Sequence, residues 1–142
     1  MRISTKSRHA ITAMLELAQQ DRPMKLSMMS DNNAISISYL EQIFASLRFK
    51  GLVKGQRGPG GGYVLGKQAD EISIAEIISS VDEWVEYSFS KPKMVVPVSQ
   101  SLTPHILWSD LSRQIYDFLD STTLTDVVAN SSAYQELLDE AA

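Results

Sequence analysis

The sequence contains no cysteine among its 142 residues. This absence excludes disulfide bonds and every metal or redox site that depends on a thiolate ligand. No apolar stretch approaches the roughly 20 residues that a membrane-spanning helix needs. The first residues, Met1–Lys6, also lack the apolar segment of a secretory signal. We therefore expect a cytoplasmic protein with no membrane partner.

Histidine is nearly as scarce, since the chain has only His9 and His105. No pairing of a nucleophile with a general base is visible, and the carboxylates of the second half follow no catalytic motif. We predict that the protein is not an enzyme.

One string resembles a phosphate-binding P-loop, with Gly61, Gly66 and Lys67 at the required spacing. However, Gln68 stands where a P-loop has Ser or Thr, and the residues 63–65 inside the string are typical of a β-strand. We therefore reject nucleotide binding.

The net charge of −4 conceals a strong asymmetry between the two halves of the chain. Residues 1–67 contain ten Lys or Arg and four Asp or Glu, a balance of +6. Residues 68–142 contain three Lys or Arg and thirteen Asp or Glu, a balance of −10. This split is typical of a nucleic-acid-binding head joined to a separate assembly segment. An uneven scatter of surface charge would give the same totals, so charge alone does not establish DNA binding.

The first 50 residues predict a helix followed by a helix-turn-helix. Residues 5–20 carry an apolar stripe at helical spacing, and a short helix capped by Ser27 follows. A further helix begins at a capping box of Ser38 and Glu41 and stops at Gly51. The second helix of a helix-turn-helix can enter the major groove of DNA.

The hydrophobic period changes after this helix. Residues 52–56 predict a short strand, and residues 63–65, which are rich in β-formers, predict a second. The two flank a glycine-rich turn, so we predict a β-hairpin. A hairpin directly after a recognition helix is the wing of a winged-helix domain. Glycines frame Arg57 near its tip and allow the backbone to approach another surface, so this side chain suits a narrow minor groove. A hairpin with no DNA contact is the alternative.

The second half predicts helices separated by an irregular stretch. Ser73 and Glu76 form a capping box, residues 85–103 show no clean helical period, Thr103 begins a long helix, and Thr123 caps a last short one. The apolar stripe of the long helix needs a partner, and a two-fold copy of the chain is the simplest one. The predicted dimer contacts are Trp108, Leu111, Ile115, Phe118 and Leu119.

These patterns predict a mainly α fold with a small β-hairpin, in which a winged helix-turn-helix domain is joined to a long dimerisation helix. Residues 1–82 form the DNA-binding domain, and residues 83–103 a sensor-type loop. Residues 104–130 form the dimerisation helix with a short capping helix, and residues 131–142 a frayed acidic tail.

The predicted DNA contacts come from the first helix, the recognition helix and the wing. Cations in the first turn of a helix run against its dipole, which indicates an anionic partner such as phosphate, although a plain solvated face would look the same. Polar side chains at the start of the recognition helix can reach base edges. The full set is Arg2, Lys6, Arg8, Ser36, Ser38, Tyr39, Glu41, Gln42, Arg48, Arg57, Gly58, Pro59 and Gly60.

Three stretches resemble the IscR-type family of iron–sulfur cluster regulators. They are the first helix from Lys6 to Leu17, the recognition segment Ser36–Gln42, and the wing Arg57–Tyr63, which is the most specific. The stretch Leu107–Leu111 is similar to the start of that family's dimerisation helix, and the similarity covers about residues 1–130.

The resemblance implies a homodimeric transcriptional regulator, which we expect to be a repressor, bound to a partly palindromic operator in double-stranded DNA. It also implies that Glu41 takes part in sequence discrimination and that Arg57 enters the minor groove. For Glu41 a pure capping role is the alternative, and the two roles are compatible.

The departure from this family lies before the long helix, where its members hold a [2Fe–2S] cluster, typically on three cysteines and one histidine. Here His105 is in the place of the histidine, Ser90 is where the first cysteine is expected, and Ser99 or Ser101 matches later ones. Serine is a poor ligand for a cluster that depends on thiolate sulfur. We therefore predict no cofactor and no metal, with His105 an ordinary helix residue. Two histories are consistent with the missing cysteines: a natural relative that lost the cluster, or a sequence in which cysteines were replaced by serine.

Two other functions stay open. A winged helix used only for binding proteins would fit the acidic half but leaves Arg57 and the basic half unexplained. The second possible function is a DNA-binding regulator in which the loop of residues 86–102 senses a ligand other than a cluster. Steep weakening of binding with rising salt is expected for DNA and separates it from a protein partner.

Overall fold

The computed structural model describes residues 3–82 and 104–130. The helices of this part are α1 (Thr5–Ala18), α2 (Leu26–Asn33), α3 (Ile37–Phe49), α4 (Ile74–Val81) and α5 (Pro104–Ser121). Strands β1 (Val53–Gln56) and β2 (Gly62–Leu65) form an antiparallel hairpin between α3 and α4, and Ala69–Glu71 form a 3₁₀ turn. Residues 124–130 are also helical. The mainly α fold with one hairpin is therefore confirmed, while the Thr103 cap lies outside the described residues.

Helix α1 presents a different face to the core from the one that its apolar stripe predicts. The predicted stripe consists of Ile11, Met14, Leu15 and Ala18. Of these only Met14 is fully buried, together with Ala10, Ala13 and Leu17, whereas Ile11, Leu15 and Ala18 are partly buried. Small side chains allow close approach of α4, which packs against this face. The helix also ends two residues before the predicted position, since the last N–H groups bond three residues back.

The two caps predicted for the helix-turn-helix are wrong. Helix α2 begins at Leu26, and its N-cap residue Lys25 makes no side-chain cap bond, so Ser27 already lies inside the helix. Helix α3 is capped by Ser36, whose Oγ accepts a hydrogen bond from the Tyr39 N–H at 3.3 Å, and not by the box of Ser38 with Glu41. Ser36 and Ser38 are both suitable N-cap residues by local sequence, and the turn between α2 and α3 places Ser36 at the start of α3.

That turn contains Ala34, whose φ of 54° and ψ of 40° are left-handed. An L-residue with a Cβ atom pays a steric cost in this conformation, which glycine does not. At the other end of α3, Gly51 has a φ of 76° and ends the helix as predicted.

The hairpin is held to the start of α2 by backbone hydrogen bonds. The Tyr63 N–H donates to the Met24 carbonyl at 2.8 Å, and the Met24 N–H donates to the Tyr63 carbonyl at 3.0 Å. Gly62 makes this approach possible, because a Cβ at this position would lie 2.6 Å from the Met24 carbonyl. Only a residue without a side chain fits here.

The core lies between α1, α3 and α4. The inner face of α3 contributes Leu40, Ile43, Phe44 and Leu47, all fully buried. The ring of Phe44 lies 4.7 Å from the ring of Tyr63 on β2, so the core extends to the base of the hairpin. No helix among residues 3–82 and 104–130 is long and apolar enough to cross a membrane.

The end of α5 is attached to the start of α4. The Ser73 hydroxyl donates to Asp120 at 3.3 Å, the Ile74 N–H donates to the Thr122 carbonyl at 2.9 Å, and the Leu124 N–H donates to the Ile72 carbonyl at 3.0 Å. The capping box of Ser73 with Glu76 is confirmed, and Thr123 caps the last helical segment as predicted.

Ser73→Ala is expected to destabilise the protein, because Ser73 both caps α4 and donates to Asp120 of α5. We expect a loss of about 1–2 kcal/mol in the free energy of unfolding, measured by urea denaturation at fixed protein concentration. Ser27→Ala is the control, since Ser27 makes no cap bond, and its effect is expected to stay below about 0.5 kcal/mol. Equal losses in both variants would contradict the cap assignment.

Ala34→Gly is expected to stabilise the protein by about 1 kcal/mol, because it removes the steric cost of a left-handed alanine. Ala45→Gly, at an exposed position in the regular part of α3, is expected to destabilise it by about the same amount. The same denaturation measurement compares them, and two changes of the same sign would show that Ala34 carries no strain.

Candidate nucleic-acid interface

The outer face of α3 is the first component of the interface. Because the core takes the inner face of the helix, the opposite side chains are left in solvent. These exposed residues are Ser38, Glu41, Gln42, Ala45, Arg48 and Phe49. Ser36 is exposed at the N-cap, where its Oγ accepts from the backbone and its hydroxyl hydrogen is still available to donate. Polar groups at the start of a helix of this kind can reach donors and acceptors in the major groove.

Tyr39 differs from its neighbours in α3. Its side chain is half-buried against the core, and its ring meets the edge of the His9 ring of α1, with centroids 5.5 Å apart at 84°. This edge-to-face contact joins the start of α3 to α1. Tyr39 was predicted to contact bases; in the structure it also holds the two helices together.

The start of α1 lies beside a small depression lined by Ile3, Ser4, Thr5 and Arg8. Ser4 caps the helix by accepting from the Ser7 N–H at 3.1 Å. Arg8 is exposed, Lys6 is half-buried, and no acidic residue occupies the first turn. The helix dipole and these cations give this end a positive potential that suits a phosphate group. Arg2 lies outside the described residues.

The wing presents Arg57, Gly58, Pro59 and Gly60, all exposed. Arg57 directly follows β1, and the Gly61 N–H donates to the Gly58 carbonyl at 2.9 Å, which closes a turn around Pro59 and Gly60. The structure therefore places the Arg57 side chain at the base of an exposed turn with little bulk around it. Such a tip can enter a narrow minor groove.

Tyr63 fixes the wing relative to α3, a role that the sequence analysis missed. Its backbone pairs with Met24 and its ring packs on Phe44 of α3. The relative position of the two predicted DNA-contacting elements is thus set by buried contacts. The only local signal was an aromatic residue in a β-rich stretch, which does not identify its partners.

The apolar stripe of α5 divides between two surfaces. Leu111 and Ile115 are 38% and 39% exposed and Phe118 is 67% exposed, whereas Leu119 is half-buried against the core of its own chain. Leu107, which was not among the predicted dimer contacts, is exposed four residues before Leu111 and extends the stripe. The side chain of Trp108 lies outside the described residues.

The side chains at the positions matched to cluster ligands lie outside the described part of the chain. Ser90, Ser99 and Ser101 lie outside the described residues, as does the side chain of His105. Within residues 3–82 and 104–130 there is no group of three or more His, Asp or Glu that could hold a metal ion.

Comparison with known proteins identifies the family of this chain. The profile of the Rrf2 family, described as an iron-dependent transcriptional regulator, matches residues 3–130. The HTH-type transcriptional regulator IscR of Erwinia tasmaniensis is 44% identical over 140 residues, which is 97% of this chain and 82% of that protein. IscR of Xenorhabdus nematophila is 46% identical over 143 residues, or 99% of this chain and 85% of that protein.

Solved structures agree with the sequence relatives. CymR, the global cysteine regulator of B. subtilis, superposes with a TM-score of 0.75 at 34% identity, covering 92% of this chain and 98% of CymR. IscR of T. potens superposes with a TM-score of 0.75 at 31% identity, covering 95% of this chain and 91% of the IscR chain. The predicted family, winged-helix fold and non-enzymatic function are confirmed by these relatives. With a family match over nearly its whole length, this chain is a member of the Rrf2 family of DNA-binding transcriptional regulators.

Proposed function

We propose that the protein binds a partly palindromic operator in double-stranded DNA as a homodimer and represses transcription there. The observation that carries the proposal is the presence of two exposed elements on one packed domain: the outer face of α3, and the wing turn that begins at Arg57. Tyr63 holds them together through Met24 and Phe44. A rigid head with a helix and a wing can contact both grooves of one half-site at once.

The residues divide by the part of DNA that they contact. Ser36, Ser38, Glu41 and Gln42 at the start of α3 read base edges in the major groove. Arg57 enters the minor groove, with Gly58, Pro59 and Gly60 allowing the backbone to approach. Phosphates are contacted from the start of α1 and from the α3 face. The residues in this last group are Arg2, Lys6, Arg8 and Arg48, and the Tyr39 ring belongs with the base-contacting residues.

The homodimer is supported by the exposed stripe of α5. At about 1.5 Å per residue this helix is roughly 27 Å long, and its apolar side chains lie four and three residues apart along one face. A second copy of α5 would bury them symmetrically. The bonds from Ser73 to Asp120 and from Ile74 to Thr122 attach α5 to each head, so a dimer sets the spacing of two half-sites.

The donor chemistry of this chain does not fit an iron–sulfur cluster. The family description names iron, but the sequence has no cysteine and therefore no thiolate to hold such a cluster. We propose that this regulator acts without one. Its segment 83–103 is then free to respond to another signal.

Arg57→Ala is expected to weaken operator binding by about 1–3 kcal/mol, because it removes a specific groove contact. The measurement is selection of bound duplexes from a random pool, with wild type and variant side by side, followed by titration of the recovered duplex at several salt concentrations. Wild type is expected to recover a two-fold symmetric motif and to bind more weakly as salt rises.

The controls for this experiment are Arg57→Lys, which keeps the charge but loses the planar fork, and Arg22→Ala, which removes an exposed cation outside α3 and the wing. We expect Arg57→Lys to retain part of the affinity and Arg22→Ala to retain most of it. If wild type recovers no motif at low salt, the proposal of a specific operator is wrong, and a winged helix that binds protein is favoured.

Leu111→Asp and Ile115→Asp are each expected to dissociate the dimer, because they place a charge in the centre of the apolar contact. Sedimentation at micromolar concentration gives the oligomeric state. Thr125→Asp adds the same charge at an exposed position after α5 and is expected to leave the dimer intact. If both stripe variants sediment as dimers, the α5 stripe is not the interface.

A further inference from the structure

The outer face of α3 continues beyond the residues assigned to base reading. Ser38, Gln42, Ala45 and Phe49 follow one another at intervals of four, three and four residues, which places them in one row along an α-helix. All four side chains are exposed. Phe49 is 87% exposed, more than any other large hydrophobic side chain among the described residues. The row thus begins with polar groups and ends with an aromatic ring in solvent.

The core does not need this ring. Helix α3 already buries Leu40, Ile43, Phe44 and Leu47 on the opposite side, and Phe49 contributes nothing to that contact. The ring continues the row of α3 side chains that begins with the proposed base-reading residues, so a surface that contacts this row would also remove the ring from water. The residues on either side are the cations Arg48 and Lys50, which favour a polyanion as the covering surface.

The occupant that fits both the row and its charge is the major groove of DNA. Among the base pairs, only those with thymine carry an apolar group there, the C5-methyl group. We propose that Phe49, together with the methyl group of Ala45, contacts a thymine methyl and thereby specifies a T·A pair in each half-site. This proposal rests on the DNA-binding function proposed above and adds a specificity-determining residue to it.

The row also predicts where the thymine lies. Phe49 is seven residues beyond Gln42, which corresponds to about 10.5 Å along the helix. With base pairs about 3.4 Å apart, this distance equals about three base-pair steps. Helix α3 then lies along the groove, and the thymine is found about three base pairs from the pair that Gln42 reads.

The test replaces each thymine of the selected operator, one at a time, by deoxyuridine, which removes only the methyl group. Affinity is measured by fluorescence anisotropy at fixed salt with the full-length protein. For wild type we expect about a fourfold loss at one position in each half-site, as removal of one buried methyl group predicts. For Phe49→Ala we expect thymine and uracil to bind equally at that position, while sensitivity elsewhere is kept.

Two further variants make the result specific. Phe49→Leu keeps an apolar side chain and is expected to retain part of the uracil effect. Met28→Ala removes another exposed apolar side chain, on α2, and is expected to show the wild-type profile. Both positions, Phe49 and Met28, are exposed, and circular dichroism checks that each of the three variants folds.

The outcomes separate this inference from the proposed function. If wild type selects no operator, the proposed DNA-binding function fails. If wild type selects an operator that lacks a thymine near the predicted position, or binds thymine and uracil equally throughout, the Phe49 contact is overturned. It is equally overturned if Phe49→Ala keeps the full uracil effect, which would leave a protein partner as the surface that covers the ring.

Discussion

The architecture of the head depends on the attachment of the wing at Tyr63. Its two backbone hydrogen bonds to Met24 join the hairpin to the segment before α2, and its ring contact with Phe44 joins the hairpin to α3. The hairpin alone has two short strands and would be marginally stable in water. Packed in this way it becomes a rigid extension of the core, and Gly62 is required because any side chain would separate the strand from Met24. The exposed turn therefore lies at a defined distance from the outer face of α3.

A second attachment connects this head to α5. Lys67, which follows β2, lies 3.2 Å from Glu76, and Glu76 closes the capping box with Ser73. Ser73 in turn donates to Asp120 near the end of α5. The Lys67 pair is exposed and contributes little stability alone, so the backbone bonds and the buried Leu124 carry most of this attachment. The orientation of α5 is thereby linked to the same elements that support the wing.

These two attachments bear on how a family described as iron-dependent accommodates a member without cysteine. Both attachments are made by residues of the described ranges 3–82 and 104–130. Hydrophobic packing and backbone hydrogen bonds hold these elements of the head together. The proposed operator contacts therefore depend only on residues that this chain retains.

Local patterns of the sequence determined the kinds of element, their order and the family. Some of these patterns act only through hydrogen bonds and steric limits within a few residues, so the sequence alone predicts them. Examples are the capping box at Ser73, the helix end at Gly51 and the glycines of the hairpin. The tertiary structure decided between caps that are locally equivalent, Ser36 and Ser38, because the left-handed turn at Ala34 places only one of them at the helix start. It also turned Leu119 toward the core, left Leu107 and Phe49 in solvent, and assigned Tyr63 its partners. These outcomes depend on which segments, distant in sequence, pack against each other. Because the hydrophobic effect is non-directional, a local sequence pattern does not specify the packing partner of an apolar side chain.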